Sequence, residues 1–182
     1  MGDVDIFSAV ERKNLRELER ILKKDPSLAR NRDCWGRTAL MLACLEGEDA
    51  FVNLLLPWSE AGASDRDGET ALMLAAFGHP QCVALLLPVS DPMAGDADGW
   101  TALMWAASSG NEQCVELLLP HSDAGATNLS GVTALDIARA HDQQARAQQI
   151  RRHIVAEEMM TAAGGVLPPE RLDIQRRPRI RH

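Results

Sequence analysis

The stretch of residues 68–88, GETALMLAAFGHPQCVALLLP, decides the fold because the chain repeats it. Copies read GRTALMLACLEGEDAFVNLLLP from Gly36 and GWTALMWAASSGNEQCVELLLP from Gly99, and a fourth, GVTALDIARAHDQQARAQQI, begins at Gly131. The Gly-x-Thr-Ala-Leu starts follow one another after 32, 31 and 32 residues. Self-similarity at such a period indicates a repeat architecture in which each copy is one supersecondary unit.

Each copy is predicted to form two short helices. The threonine of each start stands where its hydroxyl can accept a hydrogen bond from a free N–H group at a helix N-terminus. Ala, Leu and Met follow it, and then a second segment has apolar residues at i, i+3 and i+4, such as Val83, Leu86 and Leu87. Pro88 and its counterparts end that segment because proline has no N–H to donate. A single unit cannot bury both faces, so the units must stack.

The Gly-x-Thr-Ala-Leu start, the helix of small residues and the closing Val-x-Leu-Leu-Leu resemble the ankyrin repeat over roughly residues 3–155. The resemblance implies an all-α solenoid of about five helix-turn-helix units, with β-turn or hairpin loops, called fingers, between successive units. The predicted organisation is an N-terminal capping unit at 1–32, repeats at 33–64, 65–95 and 96–127, a C-terminal capping unit at 128–160 and a basic tail at 161–182 that we expect to be flexible.

The copies depart from the usual ankyrin pattern. Three residues after the threonine, where the family usually has a histidine, the chain has Met41, Met73, Met104 and Asp136. At the methionines we expect apolar packing to replace the hydrogen bond of that histidine. The third unit is one residue short in its helix–helix turn, where Gly78 is predicted to be left-handed and Pro80 to open the second helix. Stretches such as LLLPHSDAGA resemble a subtype of bacterial ankyrin proteins.

Composition and the N-terminal sequence narrow the class of protein. The 182 residues are 46% hydrophobic and 25% charged, as in soluble globular proteins. No run of about 18 apolar residues occurs, and no basic segment followed by an apolar stretch opens the chain. We therefore expect no transmembrane segment and a cytoplasmic protein. Secretion as an effector stays open, because secretion signals read from the C-terminus or the folded protein would leave no such trace.

No constellation of residues predicts an enzyme. The five histidines have no zinc-ligand spacing, and no nucleophile elbow, phosphate-binding loop or dinucleotide motif occurs. The four cysteines form no CxxC pair and are expected to be reduced thiols that behave as small buried hydrophobes. The carboxylate pairs Asp65/Asp67 and Asp96/Asp98 are expected to build turns, since no calcium-binding loop surrounds them. The sequence thus predicts no catalytic residue, no cofactor and no metal site.

The resemblance implies a surface for a protein partner, because ankyrin proteins usually bind through the finger tips and the outward face of the first helices, which form a concave wall. The residues carried over are Cys34, Trp35, Arg37, Leu45, Glu46, Arg66, Asp67, Glu69, Phe77, Asp98, Trp100, Ser108 and Ser109. Trp35 and Trp100 are the strongest candidates, since tryptophans often dominate binding energies. The alternative for each is that the indole folds onto the neighbouring finger. Trp105 is interpreted as a packed residue between repeats.

Charge is unevenly distributed along the chain. Residues 33–130 carry two basic and 14 acidic residues, a net charge of −12, whereas 1–32 and 131–182 carry net charges of +2 and +3. This field disfavours nucleic acid on the concave wall and favours a basic protein partner. The basic tail is predicted to contact either the acidic fingers or another anionic surface.

The first functional hypothesis is a non-catalytic protein-binding module, an adaptor or a bacterial effector-like protein. The alternative is a cognate inhibitor or immunity-type protein that covers the site of a basic enzyme. Capture of a single stoichiometric enzyme would indicate the inhibitor.

Overall fold

The computed structural model describes residues 5–141 and 144–162, which form a stack of helix pairs. The pairs are α1 (Ile6–Glu11) with α2 (Leu15–Lys24), α3 (Ala39–Leu45) with α4 (Asp49–Leu55), α5 (Ala71–Ala76) with α6 (Pro80–Leu86), α7 (Ala102–Ser109) with α8 (Glu112–Leu118), and α9 (Ala134–Ala140) with α10 (Gln144–Ala162). Short 3-10 turns occupy Pro26–Arg30, Leu56–Trp58 and Leu119–His121. The predicted all-α solenoid is confirmed. The predicted unit boundaries stay predictions, and residues 163–182 of the predicted tail lie outside the described residues.

The helices form two layers. The first helices α3, α5, α7 and α9 contact one another in order, and so do the second helices α4, α6 and α8. The same position in successive units supplies the core between the layers, as Leu40, Leu72 and Leu103 show, all of which are fully buried. Fully buried alanines such as Ala75 and Ala106 allow the first helices to approach closely. None of the described helices has the length and apolar character needed to cross a bilayer.

The threonine of each start caps its helix as predicted. The Oγ1 atoms of Thr38, Thr70, Thr101 and Thr133 accept hydrogen bonds at 3.2–3.4 Å from the backbone N–H three residues later. In three of the units the side chain three residues after the threonine also accepts a hydrogen bond from the threonine N–H. The sulfurs of Met41 and Met73 accept from the threonine N–H at 3.3 and 3.4 Å, and Asp136 Oδ2 accepts at 3.2 Å. Methionine therefore closes a weak capping box, in addition to its predicted apolar packing.

The turns between paired helices are linked from unit to unit. Lys13 Nζ in the first turn lies 2.6 Å from Glu48 Oε1, and His79 Nε2 donates to the Leu45 carbonyl at 3.1 Å. In the next unit Asn111 Nδ2 donates to the Gly78 carbonyl at 3.2 Å. These residues precede their second helices, so each of these second helices is tied at its start to the preceding unit.

The predicted left-handed conformation of Gly78 is wrong. Gly47 and Gly110, in the turns of the second and fourth units, have φ values of +70° and +76°, but Gly78 is not among the residues with positive φ. The third unit has one residue fewer, and the N–H groups of Gly78 and His79 both bond to the Ala75 carbonyl. The shorter turn therefore closes without a left-handed residue. Pro80 opens α6 as predicted.

The fingers at 33–37, 65–69, 96–100 and 128–132 form a hydrogen-bonded ladder. Within the second finger the Asp65 N–H donates to the Glu69 carbonyl at 3.0 Å, and the other three have the equivalent bond. Between fingers, the N–H of Arg66 donates to the Trp35 carbonyl at 3.1 Å, and those of Ala97 and Leu129 continue the series at 2.9 Å. The predicted hairpin-like fingers are thus confirmed, and each is fixed to its neighbour.

Candidate partner-binding surface

One carboxylate or amide builds each finger. The Oδ1 atoms of Asp33, Asp65, Asp96 and Asn128 each accept two backbone N–H bonds, at 2.8–3.0 Å, from residues two and four positions later. The prediction that these carboxylates form turns is therefore confirmed for Asp65 and Asp96. In the first three fingers the residue four positions later, directly before the capping threonine, is Arg37, Glu69 or Trp100.

The fingers and first helices form a continuous wall that contains a groove. This Glu69 groove has a volume of about 220 Å³ and is lined by Leu45, Glu69, Met73, Leu74, Phe77 and Trp105. Leu45 and Phe77 occupy the same position in α3 and at the end of α5, and they are 37% and 54% exposed. Leu74 and Trp105 precede that position by three residues in their own units, so they share its helix face. The groove is therefore an apolar surface with one carboxylate.

An aromatic cluster fixes one side of the Glu69 groove. The Trp105 ring centroid lies 6.2 Å from that of Phe77 in an edge-on arrangement and 5.4 Å from that of Trp100. The Trp105 indole Nε1 donates to Asp96 Oδ2 at 3.1 Å. Trp105 is thus packed, as interpreted from the sequence, but it also lines the groove. Trp100 is half-buried against Trp105 and does not stand free.

Trp35 is the exposed tryptophan of the wall. Its side chain is 61% exposed, and the Arg37 guanidinium carbon lies 4.4 Å from its ring centroid. The same guanidinium is held by Asp33, whose Oδ2 is 2.9 Å from Arg37 Nε and 2.9 Å from Nη2. The cation–π contact and ion pair give Trp35 a defined neighbour at the finger tip while leaving most of the indole in solvent.

The surroundings of Glu69 disfavour the charged form of its carboxylate. Burial raises the pKa of Glu69, the negative charges of Asp65, Asp96 and Asp67 raise it further, and Arg37 opposes the shift. No hydrogen bond or ion pair of this carboxylate is found within residues 5–141 and 144–162. The charge of Glu69 is therefore tolerated rather than stabilised by the described part of the fold.

The structure brings only some of the predicted residues together. Leu45, Glu69 and Phe77 meet in the groove, and Trp100 adjoins it through Trp105. Trp35 and Arg37 contact each other at the tip of the first finger. The remaining predicted residues are the exposed Cys34, Glu46, Arg66, Asp67 and Asp98 and the half-buried Ser108 and Ser109. The Ser109 hydroxyl is engaged locally, since it donates to the Ala106 carbonyl at 3.1 Å.

Sequence reasoning missed three groove residues, Met73, Leu74 and Trp105. The repeat register could have found Leu74 and Trp105, which lie four residues after the threonine, on the face shared with Leu45 and Phe77. The binding role of the thirteen residues named from the sequence stays a prediction.

The buried cysteines are unreactive, and the described residues contain no cluster suited to a metal ion. The expectation that the cysteines are buried is confirmed for Cys44, Cys82 and Cys114 but is wrong for Cys34, which lies exposed beside Trp35 in the first finger. Burial raises the pKa of Cys82 and of Cys114 to about 11 and that of Cys44 well above its ordinary value. Such thiols stay protonated and unreactive at neutral pH. No group of three His, Cys, Asp or Glu residues suited to a metal ion occurs in the part of the chain that the structure describes.

Glu69→Gln is expected to stabilise the protein near neutral pH by less than about 1 kcal/mol, a small gain because solvent screens a partly exposed charge. Folding raises the pKa of Glu69 above 4.5, so the unfolded chain ionises first. The carboxylate therefore lowers stability progressively as the pH rises from about 4.5, and the loss is complete once the pH exceeds the folded pKa. The advantage of the variant should therefore vanish well below pH 4.5. Chemical denaturation at both pH values measures it, with Glu60→Gln as a control at an exposed side chain. An advantage that persists at low pH would contradict this origin.

Comparison with known proteins identifies a family. A family model described as ankyrin repeats in three copies matches residues 6–96 and 77–150, which together are well over half of the chain. No curated protein matches the chain.

Proposed function

Because the chain belongs to the ankyrin-repeat family, whose members act as protein–protein interaction modules, we propose that it binds a partner protein through the wall of fingers and first helices. The observation that carries the proposal is the Glu69 groove with its exposed apolar rim. Leu45, Phe77 and Trp35 offer apolar surface on one wall, and aromatic residues in such positions commonly supply most of the energy of an interface.

The rigidity of the wall supports the same proposal. Hydrogen bonds join successive fingers at 2.9–3.1 Å, and a side-chain acceptor holds each finger internally. A partner would therefore not have to order these loops when it binds, and less binding energy would be lost to conformational entropy. The proposed role requires no catalytic group, and the protein would act as an adaptor or effector-like binding module in the cytoplasm or in a host cell.

A second candidate is a cognate inhibitor that covers the site of a basic enzyme. The net charge of −12 over residues 33–130 favours a basic partner in either case. The two roles differ in the partner itself, since an inhibitor should capture one enzyme in stoichiometric amount and abolish its activity.

The proposal is tested by affinity capture followed by binding measurements with the captured protein. Trp35→Ala and Phe77→Ala should each weaken binding at least about tenfold, which corresponds to about 1.4 kcal/mol. Trp58→Ala is the matched control, because Trp58 is 45% exposed but follows the second helix α4 rather than a finger. Binding should also weaken with added salt if the partner is basic. Loss of binding in Trp58→Ala with wild-type affinity in the other two variants would place the interface elsewhere.

A further inference from the structure

The position directly before the capping threonine differs in charge between neighbouring units. In the second unit it is Arg37, and this residue forms an ion pair with Asp33 of its own finger at 2.9 Å. In the third unit it is Glu69, and the equivalent finger residue is Asp65, so a like charge replaces the ion pair. In its own finger Asp65 and Asp67 therefore act on the Glu69 carboxylate as like charges, and it forms no ion pair within the residues that the structure describes.

The surrounding charges do not compensate Glu69. Asp65, Asp67 and Asp96 all act on it as negative charges, and Arg37 is the cation that opposes them. Arg37 is already engaged, since its guanidinium is bound by Asp33 and lies over the Trp35 ring. A net negative potential therefore remains at the Glu69 groove, and a cation entering it would be attracted.

The remaining groove residues suit a long side chain with a charged end. Leu45 and Leu74 are aliphatic and can contact a methylene stem, as apolar surfaces do with lysine and arginine, while the almost fully buried Met73 completes the apolar lining. Phe77 and Trp105 add aromatic rings, whose faces attract cations. The apolar lining also lowers the local dielectric constant, so a charge pair formed there is stronger than one on an open surface.

We propose that the Glu69 groove binds one lysine or arginine side chain of the partner protein, with the Glu69 carboxylate paired to its cationic group and the apolar residues along its stem. This inference rests on the proposed function and names the chemistry that the wall selects. A wholly apolar pocket would instead prefer an aliphatic or aromatic side chain of the partner. Selection of such a side chain is the competing outcome of the test.

The probe is a random peptide library displayed on phage and selected on the full chain. Enriched peptides that bind the wall should share one basic position, and synthetic versions with lysine, arginine or norleucine at that position should be measured by calorimetry. Norleucine keeps the stem and removes the charge, so it should weaken binding at least about tenfold relative to lysine. The better of lysine and arginine identifies the preferred cation.

The protein side of the test is Glu69→Gln, with Glu60→Gln as the matched change outside the groove. Glu69→Gln should weaken binding of the lysine peptide at least about tenfold, whereas the affinity of Glu60→Gln for this peptide should stay within about twofold of wild type. Combining Glu69→Gln with the norleucine peptide should cost little more than either change alone, because both remove the same charge pair. Unchanged circular dichroism and no loss of thermal stability will show that Glu69→Gln is folded.

The outcomes separate this inference from the proposed function. Peptides that Phe77→Ala releases, but that lack a common basic position or ignore Glu69→Gln, would overturn the basic-residue inference and leave the wall as a binding surface. Additive losses for Glu69→Gln and norleucine would overturn it as well. If no enriched peptide responds to Trp35→Ala, Phe77→Ala or Glu69→Gln, both proposals fail.

Discussion

Gly68→Ala is expected to lower the free energy of unfolding by about 3 kcal/mol. Gly68 has a φ of +81°, a left-handed conformation that costs an L-residue about 1–2 kcal/mol. A Cβ atom would also lie 2.8 Å from the Ala97 nitrogen and 3.1 Å from two backbone carbons of Asp96. The next finger cannot easily withdraw, because the Ala97 N–H is bonded to the Asp67 carbonyl at 2.9 Å. Overpacking of this kind typically adds a further 1–3 kcal/mol or so.

Gly131→Ala is the matched control for this prediction. Gly131 has a similar φ of +76°, but a Cβ atom there would meet nothing within 4 Å. The free energy of unfolding of this variant should therefore fall only by the cost of the left-handed conformation, about 1 kcal/mol. Chemical denaturation of both variants measures the difference. Equal losses at the two positions would mean that contact between fingers contributes nothing to the cost.

Leu72→Ala is expected to lower the free energy of unfolding by about 3–4 kcal/mol, in the range measured for buried leucines that leave a cavity. Leu72 is 0% exposed, and its helix α5 packs on both α3 and α7, so neither neighbouring unit can close the space alone. Leu135 holds the same position in α9 but is only half-buried. Leu135→Ala should cost about 1–2 kcal/mol, because solvent can fill the space.

Urea denaturation followed by circular dichroism tests the leucine pair. The slope of the unfolding free energy against urea should be the same for the two variants, since a changed slope would indicate that part of the stack unfolds separately. A loss in Leu135→Ala as large as that in Leu72→Ala would contradict the role given to burial.

Much of the fold follows from local chemistry that recurs in each copy. The capping role of Thr70 and its counterparts was predictable because a hydroxyl directly before an apolar helix commonly accepts a hydrogen bond from a free N–H group of the first turn. The finger carboxylates were predictable for a similar reason, since Asp favours turns. The conformation of Gly78 was not predictable from its residue type, because the missing residue changed which N–H groups reach Ala75. Turn geometry depends on chain length as well as on glycine.

The candidate site was less accessible to sequence reasoning. Trp35 and Trp100 both adjoin a finger glycine, but Trp35 precedes Gly36 whereas Trp100 follows Gly99. The structure leaves the first exposed and half-buries the second, on the wall position shared with Arg37 and Glu69. The partners of Trp105 could not be read from its own helix, because Asp96 and Phe77 come from a finger and from another unit. Such contacts depend on how units stack.

The buried cysteines have one further consequence. Cys44, Cys82 and Cys114 fall one each in the second, third and fourth helix pairs, and each is sealed from solvent as an unreactive thiol. A thiol-modifying reagent can reach one of them only when the surrounding helices open, so its reaction rate reports transient opening of the stack around that cysteine. The chain therefore contains three built-in probes of local opening, and Cys34 on the surface gives the reference rate for an unprotected thiol.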